Sequence, residues 1–304
     1  MVKSKWILIA QCTLFLQVHE AIGQGCSDAG FCTINSFKPH TVDSTATKSS
    51  QLKFGGFYGI ADNSINIFSN HLEYNQQLNK KFGFDVKLTT LLQNGNGLSA
   101  FGLSDILFNI NYKAGEKTNF VLGAKIPLSK ANSSHDNLPL PMDYQASLGT
   151  FDLIFGIGYE MKKIQWVFAF QQPLTQNRNK FIAEQYPVNS VLRSFQSTSN
   201  FKRKGDVLLR VSYPILIHPK FRFTPSILPI YHLGKDKFTD TSGREKYITG
   251  SEGLTLNANL YFDFELNPKN AIQLNIGFPT SVRKSRPDGL TRSFIANIEY
   301  RIKF

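Results

Sequence analysis

Thr291-Arg-Ser-Phe-Ile-Ala-Asn-Ile-Glu-Tyr-Arg-Ile-Lys-Phe304 is the stretch whose reading decides the fold. Phe294, Ala296, Ile298, Tyr300, Ile302 and Phe304 form one row. Ser293, Asn297, Glu299, Arg301 and Lys303 form the other, with Ile295 as an apolar intruder. A period of two with this contrast is a β-strand with one apolar and one charged face. In a water-soluble sheet such a last strand leaves an adhesive edge. A barrel that pairs its last strand with its first leaves none. The expectation is a closed barrel, with apolar residues facing lipid and charges facing a wet interior.

The same period continues upstream. Twelve alternating segments span 51–59, 65–78, 82–92, 101–113, 118–128, 147–161, 164–173, 203–217, 221–232, 253–266, 270–280 and 290–304. In the tenth, Leu254, Leu256, Ala258, Leu260, Phe262, Phe264 and Leu266 alternate with Thr255, Asn257, Asn259, Tyr261, Asp263 and Glu265. No helix gathers that apolar set on one face. The links at 79–81, 114–117, 162–163, 218–220 and 267–269 are short and carry turn formers or Lys. Between them lie longer links at 129–146, 174–202 and 234–252, with shorter ones at 60–64, 93–100 and 281–289. Short turns on one side and long loops on the other is the outer-membrane arrangement, and an even strand count puts both ends on the turn side. The predicted fold class is therefore all-β, a transmembrane antiparallel up-and-down barrel of about 12 strands. The final strand also resembles the C-terminal insertion signal of outer-membrane barrels, which implies passage through the barrel-insertion machinery.

Pro127, Pro173, Pro229 and Pro279 each lie about ten residues beyond a short turn, a rise of about 23 Å for tilted strands. They mark the outer edge of the membrane, where a residue without an N–H ends the ladder. The alternative is a local gap in the wall for lateral release of a ligand. Pro214 and Pro225 lie deeper on neighbouring segments, so a distortion is expected there.

Composition agrees with half-apolar strands. Hydrophobic residues make up 41% and charged residues 18%, with 26 Phe and 11 Tyr, which is too apolar for a disordered chain. A mean hydropathy of −0.20 excludes a bundle of many membrane helices. Residues 1–23 read as a cleaved signal peptide. Lys3 and Lys5 precede an apolar run, and Ala21-Ile22-Gly23 offers the small residues a signal peptidase needs. The mature segment 24–50 lacks a strand pattern and is expected either to hang in the periplasm or to fold into the lumen as a short plug, the second favoured because Phe31, Ile34 and Phe37 need burial; 51–304 is the barrel. With Cys12 removed, Cys26 and Cys32 are expected to pair in an oxidising compartment, a local staple contributing roughly 2–3 kcal/mol.

Reading the polar rows inward gives Lys87, Lys125, Asp152, Glu160, Arg210, Asp263, Glu265 and Arg301 as lumen-lining candidates. Lys53, His71, Glu73, Asp85, Glu299 and Lys303 share those rows. Such charges need water or one another, so they either line a pore or brace a closed barrel. The formal net charge is +12. Its basic residues gather in the long loops, where Lys202, Arg203, Lys204, Arg283, Lys284 and Arg286 are expected to meet lipopolysaccharide phosphates; a solvated basic rim is the alternative. No aromatic-interleaved basic helix suggests nucleic acid. The histidines show no metal spacing, so neither metal nor cofactor is expected. Ser69-Asn70-His71 and Ser133-Ser134-His135-Asp136 are the nearest approaches to a hydrolase at the lipid face, and neither carries a supporting motif.

Three stretches carry a family resemblance. They are Phe101-Gly-Leu-Ser-Asp105-Ile-Leu-Phe-Asn-Ile-Asn-Tyr112, Leu122-Gly123-Ala-Lys125-Ile-Pro127, and Leu148-Gly149-Thr-Phe-Asp152-Leu-Ile-Phe-Gly-Ile-Gly-Tyr159. Together they resemble the outer-membrane transporters grouped with the phenol meta-cleavage (MetA) pathway, distant relatives of the FadL and toluene-type channels. The resemblance covers roughly residues 100–160 in detail and the rest by pattern. It implies passive uptake of small, hydrophobic or aromatic molecules across the outer membrane of a Gram-negative envelope. The alternatives are a non-conducting accessory barrel of an envelope complex and, third, an outer-membrane lipid hydrolase. The chain is expected not to be an enzyme. Its partners would be outer-membrane lipid, lipopolysaccharide and a small-molecule permeant.

Overall fold

The computed structural model describes residues 34–39, 49–288 and 293–304. The signal segment and the expected bridge between Cys26 and Cys32 lie outside them. Twelve antiparallel strands follow the chain in order around a barrel. They are β1 (Ser49–Ile60), β2 (Asn66–Gln77), β3 (Phe82–Gly95), β4 (Leu98–Lys113), β5 (Thr118–Pro127), β6 (Asp152–Met161), β7 (Ile164–Pro173), β8 (Asp206–Ser212, resumed at Ile215–His218), β9 (Phe221–His232), β10 (Gly253–Asn267), β11 (Asn270–Ser281) and β12 (Phe294–Lys303). The last pairs with the first, from Gln51 opposite Lys303 to Ile60 opposite Phe294. Ser50 N–H donates to Phe304 O at 3.1 Å and Phe304 N–H to Ser50 O at 3.0 Å. The closure read from the final strand is thus present over its whole length. Among the described residues no helix is long and apolar enough to cross a membrane.

The outer face of the barrel is an apolar band, including Phe54, Leu72, Ile110, Leu122, Phe155, Phe168, Ile227 and Ile298. Aromatic rings collect below it at the turn end. Phe82 meets Tyr112 at 4.9 Å between centroids, Phe221 meets Phe264 at 4.7 Å, and Tyr74 meets Phe84 at 6.1 Å. Amphipathic rings at the boundary of an apolar band form the girdle expected of a membrane barrel.

The turns show why the chain reverses where it does. Asn79 Oδ1 accepts from the N–H groups of Lys81 and Phe82, both at 2.9 Å, and Asn267 Oδ1 does the same for Lys269 and Asn270. A short side-chain acceptor that closes its own turn is what these Asn residues supply.

Three segments differ from the sequence reading. The link at 93–100 is strand on both sides of a two-residue turn, Asn96-Gly97, with φ values of 53° and 75°. Positive φ at both central residues suits the twist of a hairpin, and Asn-Gly adopts it readily. Segment 147–161 becomes strand at Asp152, because Gly149 takes a φ of 67° and Ser147 Oγ accepts from its N–H at 2.9 Å. Segment 203–217 starts at Asp206 and is broken at Tyr213-Pro214, since Pro214 has no N–H for the ladder. The strand beyond this break, Ile215–His218, pairs with β9 but not with β7, which has already turned. The distortion expected here is therefore an overhang at the turn end. Pro127 and Pro173 end their strands, whereas Pro229 and Pro279 lie just inside theirs.

Leu122, 58% exposed at the centre of β5, tests the lipid-facing assignment. Leu122→Arg is expected to lower barrel stability by about 2–4 kcal/mol in lipid, read as a urea midpoint shift, while Leu122→Phe leaves the midpoint near wild type.

Candidate functional site

The barrel interior is occupied. Residues 34–39 lie within it, with Asn35–Phe37 forming a single 3₁₀ turn. One side of this segment meets charge. Lys38 Nζ pairs with Glu299 at 2.8 Å, and Lys53 Nζ donates to Asn35 Oδ1. Ser36 Oγ donates to Asn111 Oδ1, and Arg210 donates to the carbonyl oxygen of Phe37. Glu299 is the hub. Besides Lys38 it faces His71 at 3.3 Å, Arg301 at 3.4 Å and Lys53 at 3.8 Å, while Lys53 bridges to Glu73 at 2.9 Å. Arg301 pairs onward with Asp263, which accepts from Gln273 at 2.7 Å. Asp85 accepts from Asn109 and Asn111, and Lys87 is buried nearby on the same strand. Apart from Asn109 and Asn111 on β4 and Arg210 on β8, these groups belong to β1–β3 and β10–β12, the strands on either side of the closure.

The other side of residues 34–39 meets an apolar wall. Ile34 and Phe37 pack with Leu107, Val121, Ile154, Val167, Ala169, Leu208, Leu228 and Ile230, all inward residues of β4–β9. The lumen is thus divided at mid-height into a charged half and a half that is apolar except for Arg210. The segment inside matches both, with Lys38 and Asn35 toward one and Ile34 and Phe37 toward the other.

Nearer the loop end a second polar layer crosses β4–β9, and the three family-like stretches converge on it. Lys125 pairs with Asp152 at 2.9 Å across neighbouring strands and donates to Thr150 at 3.3 Å. Gln171 donates to Asp152, and Ser147 Oγ donates to Asp105 at 2.6 Å. Alongside, Arg203 pairs with Asp206, His232 bridges Asp206 at 2.7 Å and Asp236 at 2.9 Å, and Arg283 pairs with Asp288 at 2.8 Å. The loops fold over this layer. Leu140, Tyr144, Phe181, Tyr186, Leu192 and Phe195 form an apolar cluster with Ile65, Ile67 and Leu91, and Gln93 reaches the carbonyl of Gln145 at 2.8 Å.

Of the lumen candidates, Lys87, Lys125, Asp152, Arg210 and Asp263 are buried in the interior, and Arg301 is half-buried beside them. Glu160 and Glu265 are not brought into this network. Both sit among the last residues of their strands at the turn-end rim, and among the described residues neither forms an ion pair. The basic loop residues split. Lys202, Lys204 and Lys284 are exposed. Arg203 and Arg283 are buried against Asp206 and Asp288, and Arg286 is held by Asp62 at 2.7 Å, so these three are turned to internal carboxylates and not to lipopolysaccharide. The correction has a simple origin: guanidinium forks matched by buried carboxylates are held there and shed their water. His71 and Ser69 face inward, which removes them from the lipid face, and His135 lies in an exposed loop beside Asp136. Among the described residues no group of His, Cys, Asp and Glu could hold a metal ion.

The sequence reading treated the interior as polar throughout and missed the apolar half. Its signal was present. Segments six and seven lose their contrast, because Ile154, Val167 and Ala169 stand in inward rows whose outward neighbours are also apolar.

No protein-family model matches the chain, and no curated protein matches it in sequence. Solved structures match it in fold. An outer-membrane channel from Pseudomonas putida F1 is 10% identical, covers 88% of this chain and 100% of its own, and superposes with a TM-score of 0.56. The NanC porin is 7% identical over 83% of this chain and 98% of its own, TM-score 0.46. The CymD monoaromatic hydrocarbon channel is 10% identical over 94% and 98%, TM-score 0.45. At such identities the likeness is one of fold, and that fold is the outer-membrane β-barrel.

Glu299→Ala leaves several buried cations facing one another. It is expected to cost roughly 3–5 kcal/mol of barrel stability, read as a fall in the urea midpoint, and to expose the bond between Phe37 and Lys38 to chymotrypsin. In the loop cover, burial pushes the Asp143 carboxyl up to about 7, with repulsion from Asp62 and Asp288 adding to it and its own backbone N–H and Asn63 opposing it. Arg286 and Arg283 hold those two neighbours. A raised folded-state pKa means that the contribution of the neutral acid is complete below its unfolded value of about 4 and is lost as pH rises through about 7. Protease cleavage within loop 128–151 is therefore expected to quicken as pH rises through neutrality, and Asp143→Asn to show a flat profile.

Proposed function

We propose that the chain is an outer-membrane channel for passive uptake of small molecules, drawn here with its lumen closed. One observation carries the reading. The closing piece, residues 34–39, is held by side-chain hydrogen bonds, one ion pair and the apolar packing of Ile34 and Phe37, while every barrel ladder is complete without it. It can therefore leave without breaking the wall. Twelve strands enclose more space than their own side chains fill, so its departure leaves a passage. Residues 34–39, the part of segment 24–50 within the lumen, are thus read as a plug.

The finer assignment to the phenol meta-cleavage transporters is supported by the convergence of Asp105, Lys125 and Asp152, one from each family-like stretch, on a single layer. A small apolar or aromatic permeant suits the apolar half of the lumen. Lys202, Lys204 and Lys284 remain suited to lipopolysaccharide phosphates at the loop end, and the barrel-insertion machinery would seat the protein after its signal is cleaved. The occupied lumen also favours a second reading, a non-conducting accessory barrel that stays plugged.

Planar-bilayer recording of the purified protein separates these readings. The channel reading expects rare openings in the full chain and sustained ohmic steps once residues 34–39 are deleted. Silence from both proteins, each folded by heat-modified gel mobility, overturns it in favour of the accessory barrel.

A further inference from the structure

The ring of Phe37 is fully buried inside the barrel. It lies against the bare backbone of Gly156, where a methyl group would run into the ring's Cε1 and Cζ. Ile154, Val167, Leu208 and Leu228 complete an apolar cup around it. The carbonyl group of Phe37, joined to its ring through two carbons, accepts at its oxygen from the guanidinium of Arg210, which lies 5.9 Å from the ring centroid of Tyr261. The chain has thus placed in its own lumen an aromatic ring joined by two carbons to an oxygen acceptor, with a matching apolar surface and a cationic fork on the wall.

A guanidinium held beside an apolar surface interacts more strongly with a carboxylate than with an amide carbonyl. The carboxylate brings a full charge and two oxygens to the planar fork. The wall is accordingly better matched to an acid than to the peptide group that fills it. Gly156 supplies the flat floor that a ring needs, and any side chain there would fill the cup. Lys38, the next residue, is held on the opposite wall by Glu299. The segment therefore spans the lumen, and a competitor for the Phe37 seat would act on its apolar anchor while leaving its charged one.

We propose that Phe37 sits in the ligand site of this barrel, and that the site takes small aromatic carboxylates whose ring and acid are separated by about two carbons, their binding displacing residues 34–39. The proposal deepens the channel reading and rests on it for its consequence, but binding and conduction are measured separately.

The probe is 3-phenylpropionate, with 3-phenylpropanamide and propionate as controls, and binding to the purified full chain is followed by equilibrium dialysis. Phe37→Ala empties the cup of its ring without touching the wall, leaving only the backbone carbonyl for the acid to displace from Arg210. It is expected to bind the acid at least tenfold more tightly than wild type does, and to bind the amide and propionate much more weakly than the acid. Adding Arg210→Gln is expected to lose at least tenfold for the acid and little for the amide; Arg210→Lys serves the same comparison if the Gln variant does not fold. Adding Gly156→Val is expected to abolish binding of both aromatic probes. The proposal is overturned if folded Phe37→Ala binds no 3-phenylpropionate saturably, if it binds acid and amide alike, or if neither Arg210 variant weakens the acid. Current from the protein lacking residues 34–39 without any binding would sink the site and leave the channel. Binding with no current would sink the channel and leave the site.

Discussion

A backbone N–H or C=O that faces hydrocarbon has no water to turn to, and each such group left unmatched costs several kcal/mol. The rest of this structure follows from meeting that demand. Helices meet it within one segment; strands meet it only by joining edge to edge until no edge remains. The pairing of β1 with β12 completes the ring, and once it is complete the direction of every side chain is fixed. Alternate residues must face lipid or lumen, and the sequence has to tolerate both.

The lipid-facing demand is uniform and the lumen-facing demand is not. Outside, any large apolar residue serves, and Phe, Leu and Ile do so around the whole barrel. Inside, twelve strands leave a space that must hold either water or matter. Here it holds a short piece of the same chain, with opposite walls answering the two characters of that piece. Buried charges are tolerated because they are matched: Glu299 gathers four cationic or titratable partners, and Arg203, Asp206, His232 and Asp236 form a chain of their own. Removing a member is costly because the others stay behind, whereas the assembled set adds little by itself.

This division explains what could be read in the residues and what could not. Strand number, order and closure follow from local alternation, and Phe294–Lys303 already displayed the pattern of the whole. Local alternation also placed Lys125, Asp152 and Arg210 on inward rows. It could not say which inward charges would meet, since Lys38 and Glu299 are 261 residues apart. It read Arg203 and Arg283 as solvent-facing because loop residues have no period to orient them, and their partners Asp206 and Asp288 become relevant only when the loops fold back. The Asn96-Gly97 turn was legible as a hairpin, yet its place among the long links on that side concealed it. The apolar half of the lumen was hidden for a related reason. A strand apolar in both rows looks like weak alternation, and only the neighbouring strands reveal an inner wall.

That inner wall has a consequence for anything passing through. At mid-height most of the charge lies on one side of the tube, and such an uneven layout sets up a field across its axis, undiluted by water where the surroundings are apolar. A molecule with a polar end and a greasy end would be turned by that field before it was held by any single residue. At that level it would lie sideways-on, its greasy end against the apolar cluster of β4–β9 and its polar end facing the closure seam. A barrel built this way sorts solutes by how their polarity is laid out along their length, a property that pore diameter alone does not measure.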